Sequence, residues 1–258
     1  AVVKEAEPTP TLSGATTIST PDTSAIDPLA GRTTITQPVA AGPPDQIGSY
    51  KVSGVIGEGG MGLVLRARHS SEGWAKRQGG DVAIKLIRSE LAQDPEYRER
   101  FLDEADFGKR LNHASLVTVY DVVDTDDMLA VILQFVEGES LRDKMSGGSM
   151  SVEAAVAILA PLAEAIDHLH ANNIVHRDLK PDNVIIQPDG TPVLLDLGIA
   201  KDTAKEGDGL TKTSTGMGTS AWMAPEQADA KRVTGAADVY ALALIAYSMF
   251  SGRMPWDS

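Results

Sequence analysis

The chain has 258 residues, which is enough for one two-lobed domain and an additional tail. Its formal net charge of -13 at pH 7 argues against nucleic acid as a partner, because phosphate backbones are bound through clusters of Lys and Arg. The lack of cysteine excludes disulfides, thiolate zinc sites and cysteine nucleophiles. The longest apolar stretch, residues 239–250, is too short to span a bilayer, so no membrane segment is predicted within the chain.

Residues 1–47 are rich in Thr, Pro, Ala and Asp and show no hydrophobic period. Such a segment buries too little apolar surface to offset its chain entropy, so we predict a disordered leader before a domain over residues 48–258. Thr33, Thr34 and Thr36 are candidate phosphorylation sites in this leader, although a plain flexible linker is the simpler interpretation. Because the first residue is Ala1, we expect the chain to be a fragment or a processed product.

The first half of the domain is predicted to be rich in strands, because short runs of β-branched and apolar residues alternate with turn residues. One segment instead has helical spacing, through Tyr97, Phe101, Ala105 and Leu111. The predicted elements are a hairpin of strands over residues 50–56 and 63–69, a polar loop over 70–80, a strand over 81–88, a helix over 95–112, and strands over 116–123 and 128–136.

The second half is predicted to be mainly helical. A polar helix begins near Glu139, and a long helix runs from Ser151 to His170. Loops and short strands follow to residue 197, then an aperiodic polar stretch over 201–219. An apolar helix is predicted from about Thr234, so the pattern favours an α+β fold with its strands first.

Residues 57–62 read GEGGMG, a glycine-rich turn between the first two predicted strands. A dinucleotide-binding fold would open a helix here, but a strand follows, and no P-loop sequence occurs. A glycine-rich hairpin lets backbone amides approach phosphates. Alone, this motif is equally compatible with a mobile hairpin.

Lys85 lies on the third strand and Glu104 lies in the helix that follows. The Lys85 ammonium could hold nucleotide phosphates while Glu104 orients it. Taken singly, an edge charge and a solvated helix face are the simpler interpretations.

Three further motifs favour a nucleotide site over these simpler interpretations: residues 176–183 read HRDLKPDN, 196–198 read DLG and 224–226 read APE. In this order and after Lys85, they resemble the eukaryotic-type (Hanks-type) protein serine/threonine kinase family, in a spelling that looks bacterial. The resemblance covers residue 50 to the end. It implies a bilobal α+β protein kinase fold, with a strand-rich N-lobe over about residues 48–136 and a partial helical C-lobe over about 137–258.

The resemblance also implies an enzyme that transfers the γ-phosphate of ATP to Ser or Thr hydroxyls of protein substrates. Asp178 would accept the hydroxyl proton, and Lys180 would hold the γ-phosphate. Asn183 and Asp196 would bind Mg²⁺, or Mn²⁺ in its place, since hard cations take oxygen ligands.

Residues of both predicted lobes match the family's ATP site, and residues 133–136 resemble the hinge that contacts the purine. Core packing is the simpler interpretation of the apolar members, and both interpretations can hold together. The matched residues are Ile56, Gly57, Gly59, Gly62, Val64, Ala83, Lys85, Glu104, Leu133, Phe135 and Ile185.

Regulation is likewise implied by resemblance. Arg177 before Asp178 marks kinases in which a loop phosphate pairs with this arginine, so phosphosites are expected among Thr211, Thr213 and Thr215. Thr219 would serve substrate docking. A homodimer for trans-autophosphorylation is possible, and a cytoplasmic location is expected, with membrane anchoring elsewhere in a parent protein left open.

Two positions depart from the family pattern. Leu197 replaces the usual Phe, and Gly108 replaces a large apolar residue, which predicts a loose helix around Glu104 unless Phe107 fills the gap. Because the chain ends at Ser258, we also expect an incomplete C-lobe, with no family ion-pair partner for Glu226 and poor folding or activity of the chain by itself.

Two rival functions stay open. A small-molecule kinase is disfavoured by the APE motif and by the long loop before it, which are features of kinases with protein substrates. A noncatalytic ATP-binding pseudokinase or scaffold is disfavoured by the full set Lys85, Asp178, Asn183 and Asp196, although truncation would favour it for this chain.

Overall fold

The computed structural model describes residues 43–196, 220–229 and 233–256. The predicted leader therefore lies almost entirely outside the described residues. Its last five residues, 43–47, are described, and Gln46–Ile47 form a strand that pairs with Lys51 and Tyr50. The folded domain thus begins slightly before residue 48, with Ile47 fully buried.

The first half forms a six-stranded antiparallel sheet in the order β1-β2-β3-β4-β6-β5. Its hairpins follow the predicted alternation of apolar residues and glycine-containing turns. The strands are β1 (Gln46–Ile47), β2 (Tyr50–Gly59), β3 (Gly62–His69), β4 (Asp81–Ile87), β5 (Val119–Thr125) and β6 (Met128–Gln134).

The sheet has two different faces, because successive residues of a strand point to opposite sides. On the outer face, a compact cluster is built from Ile47, Tyr50, Leu65, Ala67, Val82, Ile84, Ala130 and Ile132. On the opposite side, which we call the cleft face, Leu129 and Val131 of β6 join the large core shared with the helices. The alternation along β6 therefore assigns each residue to one of two cores.

Residues 70–80 contain a short helix, α1 (Glu72–Arg77), where a polar loop was predicted. Ala75 of α1 is fully buried. Just after α1, the Gln78 side-chain NH₂ donates to the Tyr50 hydroxyl at 2.8 Å. The backbone carbonyl of Gln78 accepts from the Tyr120 hydroxyl at 2.9 Å. The loop prediction was wrong because a six-residue polar helix is too short to show a hydrophobic period.

The helix that carries Glu104 is α3 (Pro95–Gly108), which follows the short α2 (Ser89–Ala92). Asp94 caps α3 by accepting the backbone N–H groups of Glu96 and Tyr97, and Pro95 occupies the first helical position. The helix ends at Gly108, four residues before the predicted end, since glycine is a poor helix former.

The second half contains the helices and a small three-stranded sheet in the order β7-β8-β9. Ser151 caps the long helix through its side chain, as the sequence indicated. The elements are β7 (Glu139–Ser140), α4 (Leu141–Met145), α5 (Val152–Ala171), β8 (Val184–Ile186), β9 (Pro192–Leu194), α6 (Pro225–Ala228) and α7 (Ala236–Ser251), with 3₁₀ turns at Pro181–Asn183 and Ser220–Trp222.

One large core joins α3, α5, α7 and the small sheet. Its fully buried members include Leu162 and Leu169 of α5, Leu194 of β9 and Ile245 of α7. Because β8 and β9 pack on this core, the segments on either side of them are held against the helices. These segments are residues 176–183 and 195–196, which carry the predicted catalytic groups.

Candidate active site

Four predicted nucleotide-binding residues lie together on the cleft face of the sheet. Ala83 and Lys85 are two positions apart on β4, Val64 pairs with Lys85, and Leu133 pairs with Ala83. Residues paired across antiparallel strands share a face, so the four side chains are neighbours. All four are half-buried, and they form an apolar surface with one ammonium group at its end.

Phe135 follows directly after β6 and is placed beside the same surface. Arg66 pairs with Ala83 and therefore shares its face, and the Arg66 guanidinium lies 4.4 Å from the centroid of the Phe135 ring. Ile185 is a half-buried residue of β8, whereas Ile56 on β2 is 48% exposed. The predicted apolar site residues thus come from both the large and the small sheet.

The three glycines of the β2–β3 turn differ in their surroundings. A Cβ atom added to Gly57 or Gly59 would have no other atom within 4 Å, so the backbone is open to an approaching group. A Cβ on Gly62 would lie 1.8 Å from the Leu86 carbonyl oxygen, and Gly62 has φ +152°. Gly62 is therefore required by the close approach of β4, whereas no packing contact requires glycine at the other two positions.

An ion pair joins the two halves of the domain at Lys85. The Lys85 ammonium lies 2.6 Å from Asp196 Oδ1, and both side chains are largely shielded from solvent. The sequence predicted Glu104 as the residue that orients Lys85, and the structure adds this contact with Asp196. Asp196 reaches β4 because it follows β9 by two residues and adopts a left-handed backbone, with φ +57°.

The catalytic-loop residues Asp178, Lys180 and Asn183 form one hydrogen-bonded group. The Asn183 side-chain nitrogen donates to the Asp178 carbonyl at 2.8 Å and to its carboxylate Oδ2 at 2.9 Å. The Lys180 ammonium lies 3.3 Å from the same Oδ2, and the Asp178 side chain is only 8% exposed. Three residues that the family resemblance predicted as site residues are therefore brought together in space.

The backbone before Asp178 is held by Asp238 of α7. Asp238 is 1% exposed, and its two carboxylate oxygens accept the backbone N–H groups of His176 and Arg177, each at 2.8 Å. Arg177 has φ +62°, a conformation that costs a non-glycine residue about 1–2 kcal/mol. Hydrogen bonds to a buried carboxylate offset this cost.

A protein kinase domain model matches residues 50–258. The chain belongs to the protein kinase family. The predicted bilobal α+β fold and the family assignment are thereby confirmed.

The curated relatives that match include bacterial kinases. The serine/threonine-protein kinase PknH of Mycobacterium tuberculosis is 36% identical over 210 residues, covering 81% of this chain and 32% of that protein. The serine/threonine-protein kinase PrkC of Bacillus subtilis is 35% identical over 211 residues, covering 81% and 31%. This chain spans about a third of the length of these relatives.

The solved structures that match include the PknI kinase domain of Mycobacterium tuberculosis. It is 29% identical in sequence with a TM-score of 0.62, and the match covers 82% of this chain and 78% of that one. The strand-rich and helical halves described above therefore correspond to those of a solved kinase domain.

Several predicted site residues lie outside the described residues. They are the candidate phosphosites Thr211, Thr213 and Thr215, the docking residue Thr219, and Leu197. Gly108 lies within the described residues and is the buried last residue of α3. Phe107 packs partly buried on the core, with the Arg110 guanidinium 5.4 Å from its ring centroid.

A buried tyrosine beside the ion pair was missed by sequence reasoning. Tyr97 of α3 is 3% exposed, and its hydroxyl has no hydrogen-bond partner among the described residues. Burial raises the pKa of Tyr97 to about 12, with further contributions from the charges of Asp196 and Glu104. The helical period indicated that Tyr97 is buried, but not that it lies near these carboxylates.

A salt bridge between α4 and the catalytic loop was also missed. Arg142 of α4 contacts Asp182 through two parallel bonds, with Nη2 2.7 Å from Oδ2. Partial burial alone would raise the pKa of Asp182, but the hydrogen bond and charge of Arg142 outweigh it and lower that pKa. No local sequence signal links these residues, which are 40 positions apart.

His170 is a third contact of Asp238 that was not predicted, with Nε2 2.8 Å from Oδ2. A Cβ on Gly235 would lie 2.7 Å from His170 Cε1. Gly235 therefore leaves the space that the imidazole needs beside Asp238.

Within the described ranges, no helix has the length and apolar character needed to cross a membrane. No group of three or more His, Cys, Asp or Glu side chains suited to a metal ion occurs in the same part of the chain.

Proposed function

We propose that this domain is an ATP-dependent protein serine/threonine kinase. The observation that carries the proposal is the Lys85–Asp196 ion pair of 2.6 Å, which joins the apolar cleft face to the segment after β9. In that segment the Leu195 N–H donates to the Asn183 carbonyl at 2.7 Å, which connects Asp196 to the group of Asp178, Lys180 and Asn183. One side of this junction suits an adenine ring and phosphates, and the other suits a hydroxyl and its proton. The serine/threonine kinase names of the bacterial relatives support the same substrate class.

In the proposed reaction, the substrate hydroxyl oxygen forms a bond to the γ-phosphorus, and the bond from that phosphorus to the β–γ bridging oxygen breaks, so ADP leaves. Asp178 accepts the hydroxyl proton, for which Asn183 and Lys180 orient its Oδ2. Lys180 holds the transferred phosphoryl group, and Lys85 holds the phosphates that remain on ADP. Catalysis therefore depends mainly on positioning and on charge stabilisation.

The chemistry of the donor set fits a magnesium ion. Asn183 uses its side-chain nitrogen in both bonds to Asp178, which leaves the amide oxygen as a ligand atom, and Asp196 supplies a carboxylate. Mg²⁺ binds nucleotides with only one or two protein ligands, the rest being phosphates and water. The ion would neutralise charge on the phosphates, and Mn²⁺ would serve similarly.

The pseudokinase alternative is disfavoured because Lys85, Asp178, Asn183 and Asp196 are all present. Lys85 contacts Asp196, Asn183 contacts Asp178, and the two pairs are linked through the Leu195 N–H bond to the Asn183 carbonyl. A small-molecule kinase is disfavoured because residues 224–226 carry the APE motif and pack next to the catalytic loop through Gln227. Use of ATP would place the reaction in the cytoplasm.

The test is transfer of radiolabel from γ-labelled ATP with Mg²⁺ or Mn²⁺ to a generic protein substrate. Asp178→Asn should lower the rate about 10²–10⁴-fold, because the proton acceptor is lost. Lys51→Met, which removes an exposed lysine of β2, is the matched control and should keep wild-type activity. Wild-type turnover in Asp178→Asn would exclude the proposed role, and a wild-type protein that binds ATP without transfer would favour the pseudokinase.

We also propose that phosphorylation on Thr211, Thr213 or Thr215 activates the kinase, by pairing a phosphate with the Arg177 guanidinium. If one copy modifies another, autophosphorylation should accelerate with protein concentration. Mass spectrometry of active protein with all three threonines unmodified would exclude this switch.

A further inference from the structure

Side chains hold both backbone groups of Arg177, the residue before the proposed base Asp178. The Arg177 N–H donates to Asp238 Oδ1 at 2.8 Å, and its carbonyl oxygen accepts from Gln227 Nε2 at 2.8 Å. Arg177 has a left-handed backbone, which persists only where surrounding contacts determine it. Because the held carbonyl belongs to the peptide that joins Arg177 to Asp178, both contacts restrain the position of Asp178.

The second contact of Gln227 connects a different segment. Its Oε1 accepts the backbone N–H of Ala224 at 3.1 Å, at the start of α6. The orientation of the amide is determined by its partners, since only the NH₂ can donate to a carbonyl and only the oxygen can accept from an N–H. One half-buried side chain thus links the catalytic loop to residues 224–227.

We propose that Gln227 is a positioning residue for phosphoryl transfer. It acts through the Arg177 carbonyl to set the Asp178 peptide, and it couples that peptide to the APE segment. Asp238 restrains the same residue from α7, so the catalytic loop is held from the core side and from the APE side. This inference rests on the proposed kinase function.

The chemistry of position 227 predicts an order among substitutions. Methionine has a similar length but neither donates to Arg177 nor accepts from Ala224, so both links are lost. Glutamate can still accept from Ala224, but it brings a charged oxygen against the Arg177 carbonyl oxygen. Repulsion should displace the peptide further than simple loss of the bond.

The experiment compares wild type, Gln227→Met and Gln227→Glu in this chain. The control is Gln93→Met, because Gln93 is an exposed glutamine at the C-cap of α2. We measure kcat and KM for ATP and for a protein substrate, and the urea midpoint of each variant. We expect kcat to fall about 10-fold in Gln227→Met and further in Gln227→Glu. The KM for ATP should not change, because the proposed nucleotide residues lie on other elements, and the control should match wild type.

Three outcomes would overturn the inference. If wild type is active and both Gln227 variants keep its kcat, the link has no positioning role. If kcat, the KM for ATP and the urea midpoint all deteriorate together, Gln227 is merely structural. If wild type itself transfers no phosphate while binding ATP, the proposed function fails first and the inference fails with it.

Discussion

At the scale of single residues, the glycines of the β2–β3 turn separate two physical requirements. Gly62 has no space for a Cβ because of the Leu86 carbonyl, whereas Gly57 and Gly59 have open surroundings. A sequence motif gives all three the same weight. The structure shows that glycine at position 62 is required for folding, and the open space at Gly57 and Gly59 supports our proposal that these positions contact a bound phosphate.

These surroundings predict opposite effects of alanine. Gly62→Ala should lower the free energy of unfolding by about 1–3 kcal/mol or more, since an overpacked backbone contact must shift. Gly57→Ala and Gly59→Ala should leave that free energy unchanged or slightly higher and weaken ATP binding. Urea unfolding and ATP titration check this, with Gly54→Ala on the same strand, also in open space, as the control. A stable Gly62→Ala protein would contradict the assignment.

Tyr97 predicts a pH effect. Its pKa is raised to about 12 from 10.0, so the unfolded chain loses the phenolic proton first as pH rises. The stability linked to the neutral hydroxyl is fully present below about pH 10 and is lost as pH rises through about 12. Tyr97→Phe should therefore unfold at an unchanged or higher urea concentration at pH 7 and lose less stability at alkaline pH.

Urea midpoints at pH 7, 10 and 11 measure this difference, with Tyr247→Phe at an exposed position of α7 as the control. An equal alkaline loss in wild type and Tyr97→Phe would show that Tyr97 does not titrate abnormally. A large loss at pH 7 would show that its hydroxyl has a partner.

At the scale of elements, α3 is held firmly at its N-terminal half. Arg98 donates to the Ala92 carbonyl at 2.9 Å and also contacts Asp124 and the Thr125 carbonyl at the β5–β6 turn. Tyr97 and Phe101 are buried with their rings stacked. The predicted looseness around Glu104 is therefore opposed at one end of the helix, and Gly108 forms its other end.

Arg98→Gln should release this end. The glutamine cannot span three acceptors, so backbone amides of residues 98–104 should exchange hydrogen faster while β2 and β3 keep wild-type protection. Hydrogen–deuterium exchange checks this, with Arg77→Gln, at the exposed last residue of α1, as the control. Unchanged exchange in α3 would show that packing of Tyr97 and Phe101 is sufficient to hold it.

The predictability of elements followed their length and period. Strands β2 to β6, α5 and α7 were predicted because alternation or helical spacing continued over enough residues, as along β6. The two-residue strands β1 and β7 were not predicted. The short α1 was missed, and α3 ended earlier than its apolar spacing implied.

In the site, the motif HRDLKPDN predicted that Asp178, Lys180 and Asn183 lie together, since a short loop brings near neighbours in sequence into contact. Lys85 and Asp196 are 111 positions apart, and their pairing depends on how the two halves of the domain pack together. The spacing of motifs therefore could not predict this ion pair.

At the scale of the whole molecule, α7 carries an apolar stripe that faces solvent. Val239, Tyr240, Tyr247 and Phe250 are 36–58% exposed, and their helical positions fall within about 100° of one another. The opposite side of α7 is buried in the large core through Leu244, Ile245 and Met249. One side of α7 therefore packs in the domain core, and the other exposes an apolar surface suited to protein–protein contact.

This stripe predicts self-association of the 258-residue chain at micromolar concentrations, driven by burial of apolar surface. Replacing Tyr247 and Phe250 together by Ser should shift sedimentation towards monomer. The free energy of unfolding should change little, because these side chains are exposed in the folded domain. Val152→Ser with Val156→Ser is the matched control, since these exposed residues lie on α5, away from the stripe. If sedimentation depends equally on concentration in wild type and in both double variants, α7 does not mediate the association. If wild type is monomeric at these concentrations, the stripe does not drive self-association.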